Sequence, residues 1–203
     1  MAENTKVEFW FDPICPWAWM TSRWIEEVER LRDDVEVDWN VMSLAILNEG
    51  RDMDDAHRKP HAFSKRSCLV AAGVKAELGN EAMKRFYDAI GTINHPGGRS
   101  GEEGTLEEAA TKAEIPAELI ARADAGEFDD VLLASHNGAI SRVGDEVGTP
   151  VIAVNGVAFF GPVISPAPKG DMALQLFDGV VAAAGYEGFF EIKRSRTRGP
   201  EFN

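Results

Sequence analysis

Val7-Glu8-Phe9-Trp10-Phe11-Asp12-Pro13-Ile14-Cys15-Pro16-Trp17-Ala18-Trp19-Met20 is the stretch that decides how this chain is read. Its first five residues are β-prone and stop at Asp12-Pro13, because proline has no N–H to give to a ladder. From Pro16 the period changes. Trp17, Met20, Trp24, Ile25, Val28 and Leu31 recur at three- and four-residue steps, the mark of one buried helix face. The Cys15-Pro16 pair therefore stands where a strand gives way to a helix, and proline suits a first helical position.

Working outward, Asp33-Asp34 ends the helix, and residues 35–42 (VEVDWNVM) alternate apolar with polar, as a half-buried second strand does. The next ninety or so residues change character. They are rich in Ala, Glu and Lys, show no strand-like alternation, and predict helices near 62–78, 80–90, 105–113, 116–123 and 127–143. In the last of these, Phe128, Val131, Leu132, Ser135, Ala139, Ile140 and Val143 fall on one stripe, and Gly144 supplies a stop. Two β-prone runs follow, residues 151–154 and 157–160, separated by Asn155-Gly156, the strongest short-range signal for a hairpin. A final helix fits Met172 to Ala184, with Leu174, Phe177 and Val181 inward, and a polar tail ends the chain. The order β-α-β, helices, β-hairpin, helix is that of an α/β thioredoxin-like fold. Residues 1–53 and 144–203 would form it, split by a helical insertion domain at 54–143.

Cys15 is the candidate nucleophile. A sulfur at a helix N-terminus faces free backbone N–H groups and the positive end of the dipole, which predicts a lowered thiol pKa. The fold order brings the Gly148-Thr149-Pro150 loop beside that terminus, and Thr149-Pro150 is a candidate cis bond. Pro16, Trp17, Thr149 and Pro150 are thus the expected thiol-binding residues. Of two close tryptophans one must face the core, and Trp17 is expected in the groove. Cys68, beside Leu69, Val70 and Ala71, reads as a small buried hydrophobe. His57 and His61 have helical spacing but Pro60 lies between them and no carboxylate motif surrounds them, so no metal site is expected. His95, in the loop 91–101, is the histidine placed to touch the groove; His136 reads as an ordinary polar residue.

The formal charge of −13 makes nucleic acid and anionic lipid poor partners. No run approaches the roughly 20 apolar residues of a membrane span. Two cysteines make no disulfide framework, and residues 1–6 carry no export signal, so a reducing cytoplasm is the expected compartment. The basic cluster Lys193, Arg194, Arg196 and Arg198 reads first as a solvated tail and second as an anion site.

Four blocks carry a resemblance: residues 9–25 (FWFDPICPWAWMTSRWI), 41–49 (VMSLAILNE), 145–163 (DEVGTPVIAVNGVAFFGPV) and 189–197 (FFEIKRSRT). They resemble the actinobacterial mycothiol-dependent nitroreductase family, a branch of the DsbA-like thioredoxin superfamily. The resemblance implies a nucleophile at Cys15, a cis proline at Pro150 and mycothiol, or a similar low-mass thiol, as the reducing co-substrate, with no tightly bound cofactor. The substrate would be a small-molecule or protein disulfide. Some members carry Cys-Pro-Trp-Cys, and this chain has Ala18 at the second cysteine. A mixed disulfide on Cys15 would then need an external thiol to resolve it. Two other readings share the architecture: kappa-type glutathione transferases and related isomerases, which generally have serine where Cys15 stands, and a binding module without chemistry.

Overall fold

The computed structural model describes residues 4–50 and 55–202. The side chains of residues 55–59 and 61 lie outside that description, and with them the metal question at His57 and His61. The chain begins with β1 (Thr5–Phe11), α1 (Pro16–Leu31) and β2 (Val35–Val41). A four-residue helix α2 (Leu44–Leu47) follows, started by the Ser43 hydroxyl, which accepts the Ile46 N–H at 3.3 Å. It was not foreseen, because four residues are too few to show a period.

Between β2 and β3 the described residues form helices only: α2, α3 (Asp55–Asn94), α4 (Thr105–Lys112), α5 (Ala117–Asp124) and α6 (Asp129–Val143). The long α3 leaves helical geometry at Gly79 (φ 82°, ψ −171°), which separates the two helices the periodicity placed at 62–78 and 80–90. β3 (Val151–Val154) and β4 (Val157–Phe160) form the expected hairpin, with Asn155 at φ 49° and Gly156 at φ 90°, the positive pair that a tight turn between twisted strands needs. α7 (Gly170–Ala184) closes the element list.

The sheet order is β2-β1-β3-β4, with β1 parallel to β2 and antiparallel to β3, and β4 antiparallel to β3. Strand alternation sorts the side chains onto two faces. Val7, Phe9 and Phe11 pair with Val37, Trp39 and Val41 across β2 and point into the main core with α1, α3 and α7. Trp10, Val151 and Ala153 point the other way and are covered by Ala139 and its neighbours on α6. On α6 the buried residues are Leu132, His136 and Ala139, while Val131 is exposed, so the buried stripe is rotated from the one the apolar residues alone suggest.

Large aromatics lock α1 in place. The Trp24 ring is fully buried, donates its indole N–H to the Ala173 carbonyl at 2.9 Å and packs on Phe177 of α7. Burying such a ring stabilises by roughly 3 kcal/mol. On the other side of α1, Tyr87 of α3 stacks on Phe11 with centroids 3.5 Å apart. The helices are thus keyed to the strand that ends at the Cys15 loop. No helix among the described residues is long and apolar enough to cross a membrane.

Candidate active site

β1 runs out at Asp12, which is wholly buried. Its carboxylate is a knot of backbone bonds: Oδ1 accepts the Ile14 N–H at 3.0 Å, and Oδ2 accepts the Leu44 N–H at 2.8 Å and the Ser64 hydroxyl. The Asp12 carbonyl accepts the Cys15 N–H at 2.9 Å. One residue therefore folds the tight loop, starts α2 and reaches α3. Burial pushes the Asp12 pKa up, and the donated hydrogen bonds only partly oppose it.

Cys15 is the N-cap of α1, with extended backbone (φ −81°, ψ 111°) and Pro16 at the first helical position. Its sulfur accepts the Ala18 N–H at 3.4 Å and donates its proton to the Thr149 carbonyl at 3.3 Å. The Thr149-Pro150 bond is cis, as are Gly161-Pro162 and Ser165-Pro166. The sequence-chosen residues Cys15, Pro16, Thr149 and Pro150 are thus brought together from opposite ends of the chain. The thiol pKa is a different matter. Cys15 is only 6% exposed, and burial pushes the thiol up from its ordinary value, with the bonds to Thr149, Ala18 and Trp17 opposing and the Asp12 carboxylate adding to the rise. The expected lowering fails because a charge at a helix terminus is favoured only to the extent that desolvation does not cost more.

Trp17 and Trp19 differ in burial. Trp19 is buried against Tyr87 and His95, while Trp17 is half-buried with Arg196 laid over its ring at 4.9 Å. Close packing of α3 on Trp19 depends on Gly91, where a Cβ would come 2.2 Å from the indole. From the same end of α3, Asn94 Nδ2 and His95 Nε2 both donate to the Pro13 carbonyl, at 3.0 and 3.1 Å. Burial lowers the His95 pKa to about 4, so the ring is neutral at neutral pH. His136 is buried on α6 with Nδ1 unpartnered and its pKa lowered by burial.

Cys68 is fully buried on α3, interacts with Asp12, Ser43 and Ser64, and has its thiol pushed well up by burial. Among the described residues both cysteines are free, and no group of three or more His, Cys, Asp or Glu could share a metal ion. The cleft of about 200 Å³ between α6 and the sheet, lined by Glu8, Trp10, Lys75, Ser135 and Arg142, contains none of the residues around Cys15. Sequence reading missed Asp12 and Asn94, and placed Arg196 only in a basic cluster read first as a solvated tail and second as an anion site. For Asp12 a signal was present, an acid between an apolar strand and a proline; for Asn94 there was none.

A thioredoxin-like sheet with a cysteine capping the first helix beside a cis proline defines a thiol oxidoreductase of the DsbA-like class. The solved structures agree in fold: the probable DsbA oxidoreductase SCO1869 from Streptomyces coelicolor superposes with a TM-score of 0.62 at 18% identity, over 98% of each chain. Reduced DsbA from Mycobacterium tuberculosis gives 0.53 at 19% identity, over 85% of this chain and 88% of that one. The family described as Rv2466c-like, mycothiol-dependent nitroreductase Rv2466c, matches residues 14–194, and the chain belongs to it. An uncharacterized M. tuberculosis protein, Rv2286c, is 30% identical over 95% of this chain and 83% of its own. The chain is therefore a thiol-dependent oxidoreductase of a family described as mycothiol-dependent.

Proposed function

We propose that the chain is a monothiol enzyme of the cytoplasm, in which Cys15 alone carries the exchange. The Cys15 thiolate attacks one sulfur of a disulfide, forming a Cys15–substrate disulfide and releasing the other half as a thiolate. A mycothiol thiolate then attacks the substrate sulfur of that adduct, giving a mycothiol–substrate disulfide and returning Cys15 as thiolate. Pro16, Trp17, Thr149 and Pro150 would hold the substrate. Once Cys15 loses its proton, the Thr149 carbonyl loses its donor and can accept an N–H from the incoming molecule. The substrate is a small-molecule or protein disulfide, and the helical segment 54–143 acts as an insertion into the thioredoxin-like frame.

The observation that supports this reading is Ala18. It is wholly buried and one helical turn from Cys15, with its N–H on the sulfur, so a methyl group stands where a second cysteine would resolve the adduct. Cys68 is a poor substitute, being buried with its thiol held protonated. Two free cysteines also suit a reducing compartment.

The test is intact-mass measurement after exposure to oxidised mycothiol. The expected product is a one-to-one adduct that maps to Cys15 and persists until free thiol is added, leaving faster as more of that thiol is ionised. Release without added thiol would mean an internal resolver, and the Cys68→Ser variant would then trap the adduct. No adduct on an accessible, ionised Cys15 would remove the mechanism.

A further inference from the structure

Most of the chain after α7 is exposed, but it touches the body of the protein at several points. Phe189 packs edge-on against Phe159 of β4, with centroids 5.7 Å apart. Arg196 then lies over Trp17, the residue two after the nucleophile, whose backbone N–H faces the Cys15 sulfur. Further on, the Ser165 hydroxyl donates to the Gly199 carbonyl and accepts the Glu201 N–H, both at 2.8 Å. The Ser165 loop is itself held to α1, since Thr21 donates to the Pro162 carbonyl at 2.7 Å. Finally Phe202 packs on His95, the ring bonded to the Pro13 carbonyl. Residues 196–202 thus run between Trp17 and His95, the two side chains that flank the Pro13–Trp17 loop.

The charges on this segment are unlike the rest. The protein carries −13 overall, and the arginines with described side chains are paired with carboxylates except Arg85, Arg194 and Arg196. Lys193, Arg194 and Arg196 have no acid partner among the described residues, and no acid lies between 193 and 198. Arg196 lies over the Trp17 ring without a carboxylate partner among the described residues, and a guanidinium held by a ring face can still take a carboxylate through its N–H groups. An acidic protein repels anions at large, so an unpaired cationic run at one place focuses them there.

We propose that the C-terminal segment is a wall of the active site and that Arg196, with Lys193 and Arg194, selects substrates carrying a carboxylate or similar anion near the disulfide. The proposal rests on Cys15 exchange as described above and names the class of molecule that it acts on.

The rate at which Cys15 displaces a coloured thiol from two aromatic disulfides tests it: dithionitrobenzoate, a dicarboxylate, and dipyridyl disulfide, which is neutral. In the unaltered protein the dicarboxylate rate should fall with added salt and the neutral rate should not. Arg196→Gln should slow the dicarboxylate about tenfold while changing the neutral rate less than about twofold, as loss of one close charge pair implies. Arg196→Lys should recover part of that ratio, and Lys193→Gln with Arg194→Gln should lower it with the Trp17 stack intact. Lys112→Gln, which removes the same charge from α4, should leave it unchanged. A ratio of the two rates that does not move in these variants, or both rates changing by one common factor, overturns the proposal while Cys15 exchange stands. Reaction with neither probe, in protein whose Cys15 labels after unfolding, overturns the exchange mechanism and this proposal together.

Discussion

Cys15 shows what one residue's sequence context can and cannot say. Its place at a strand–helix junction was legible, because the β-prone run, the proline and the helical period all meet there. Its protonation was not, because the balance between helix-terminus stabilisation and desolvation depends on how much of the sulfur is covered, and coverage comes from Thr149 and other distant residues. His95 makes the same point with a value attached. Its pKa falls from 6.5 to about 4 through burial. Between those values the unfolded chain takes up a proton that the folded chain refuses, so this contribution to stability is fully present above pH 6.5 and is lost as pH falls towards 4. The whole shift is worth about 3 kcal/mol. His95→Gln keeps a donor for the Pro13 carbonyl and removes the titration. Urea unfolding at pH 7.5 and 4.5 should therefore show the unaltered protein losing about 2 to 3 kcal/mol more than the variant over that interval. Equal losses would mean that His95 is not the group that excludes the proton.

At the scale of elements, the hairpin and α1 were written in local signals, Asn155-Gly156 in one case and the 3.6-residue period in the other, and both are found where those signals placed them. The fit between elements was not. Gly91, which the sequence reading put at the start of a loop, lies inside α3 and stands where any Cβ would enter the Trp19 ring. Gly179 inside α7 has nothing within 4 Å of a Cβ. The two must respond oppositely to alanine. Relieving the glycine entropy penalty is worth about 0.5–1 kcal/mol at either site. At Gly91 this is outweighed by overpacking of about 1–3 kcal/mol, because the atoms struck belong to a rigid ring wedged against Tyr87 and His95. Gly91→Ala should lower the melting temperature and Gly179→Ala should raise it, by calorimetry under one set of conditions. A gain at both would show that α3 can shift away from Trp19 at little cost.

On the scale of the whole molecule, the order of elements was legible because each has its own period, and the ties between distant segments were not, because a contact across a hundred residues leaves no periodic trace. Asp12 bonds to Leu44 and Ser64, and residues 196–202 return to Trp17 and His95; neither tie is visible in the sequence. Those ties decide how each sulfur meets solvent. Both sulfurs belong to one buried cluster, but Cys68 is wholly buried inside α3, whereas Cys15 is 6% exposed and caps α1 at the end of a loop. Covering a loop takes fewer contacts than holding a core, so opening at Cys15 should cost less than global unfolding. Alkylation under native conditions separates the two routes. Cys15 labelling should be insensitive to low concentrations of urea, while Cys68 labelling should rise with the slope of the equilibrium unfolding transition. In the absence of urea, Cys15 should react on the order of a thousandfold faster, the ratio that a difference of about 4 kcal/mol in opening free energy gives. Raising the pH should speed Cys15 over the range where a thiol with an upward-shifted pKa ionises, since the thiolate is the reacting form. If Cys15 followed the same urea slope as Cys68, the sulfur would meet solvent only in the unfolded chain. A folded enzyme would then have no route from Cys15 to a disulfide, and the exchange mechanism would fail with it.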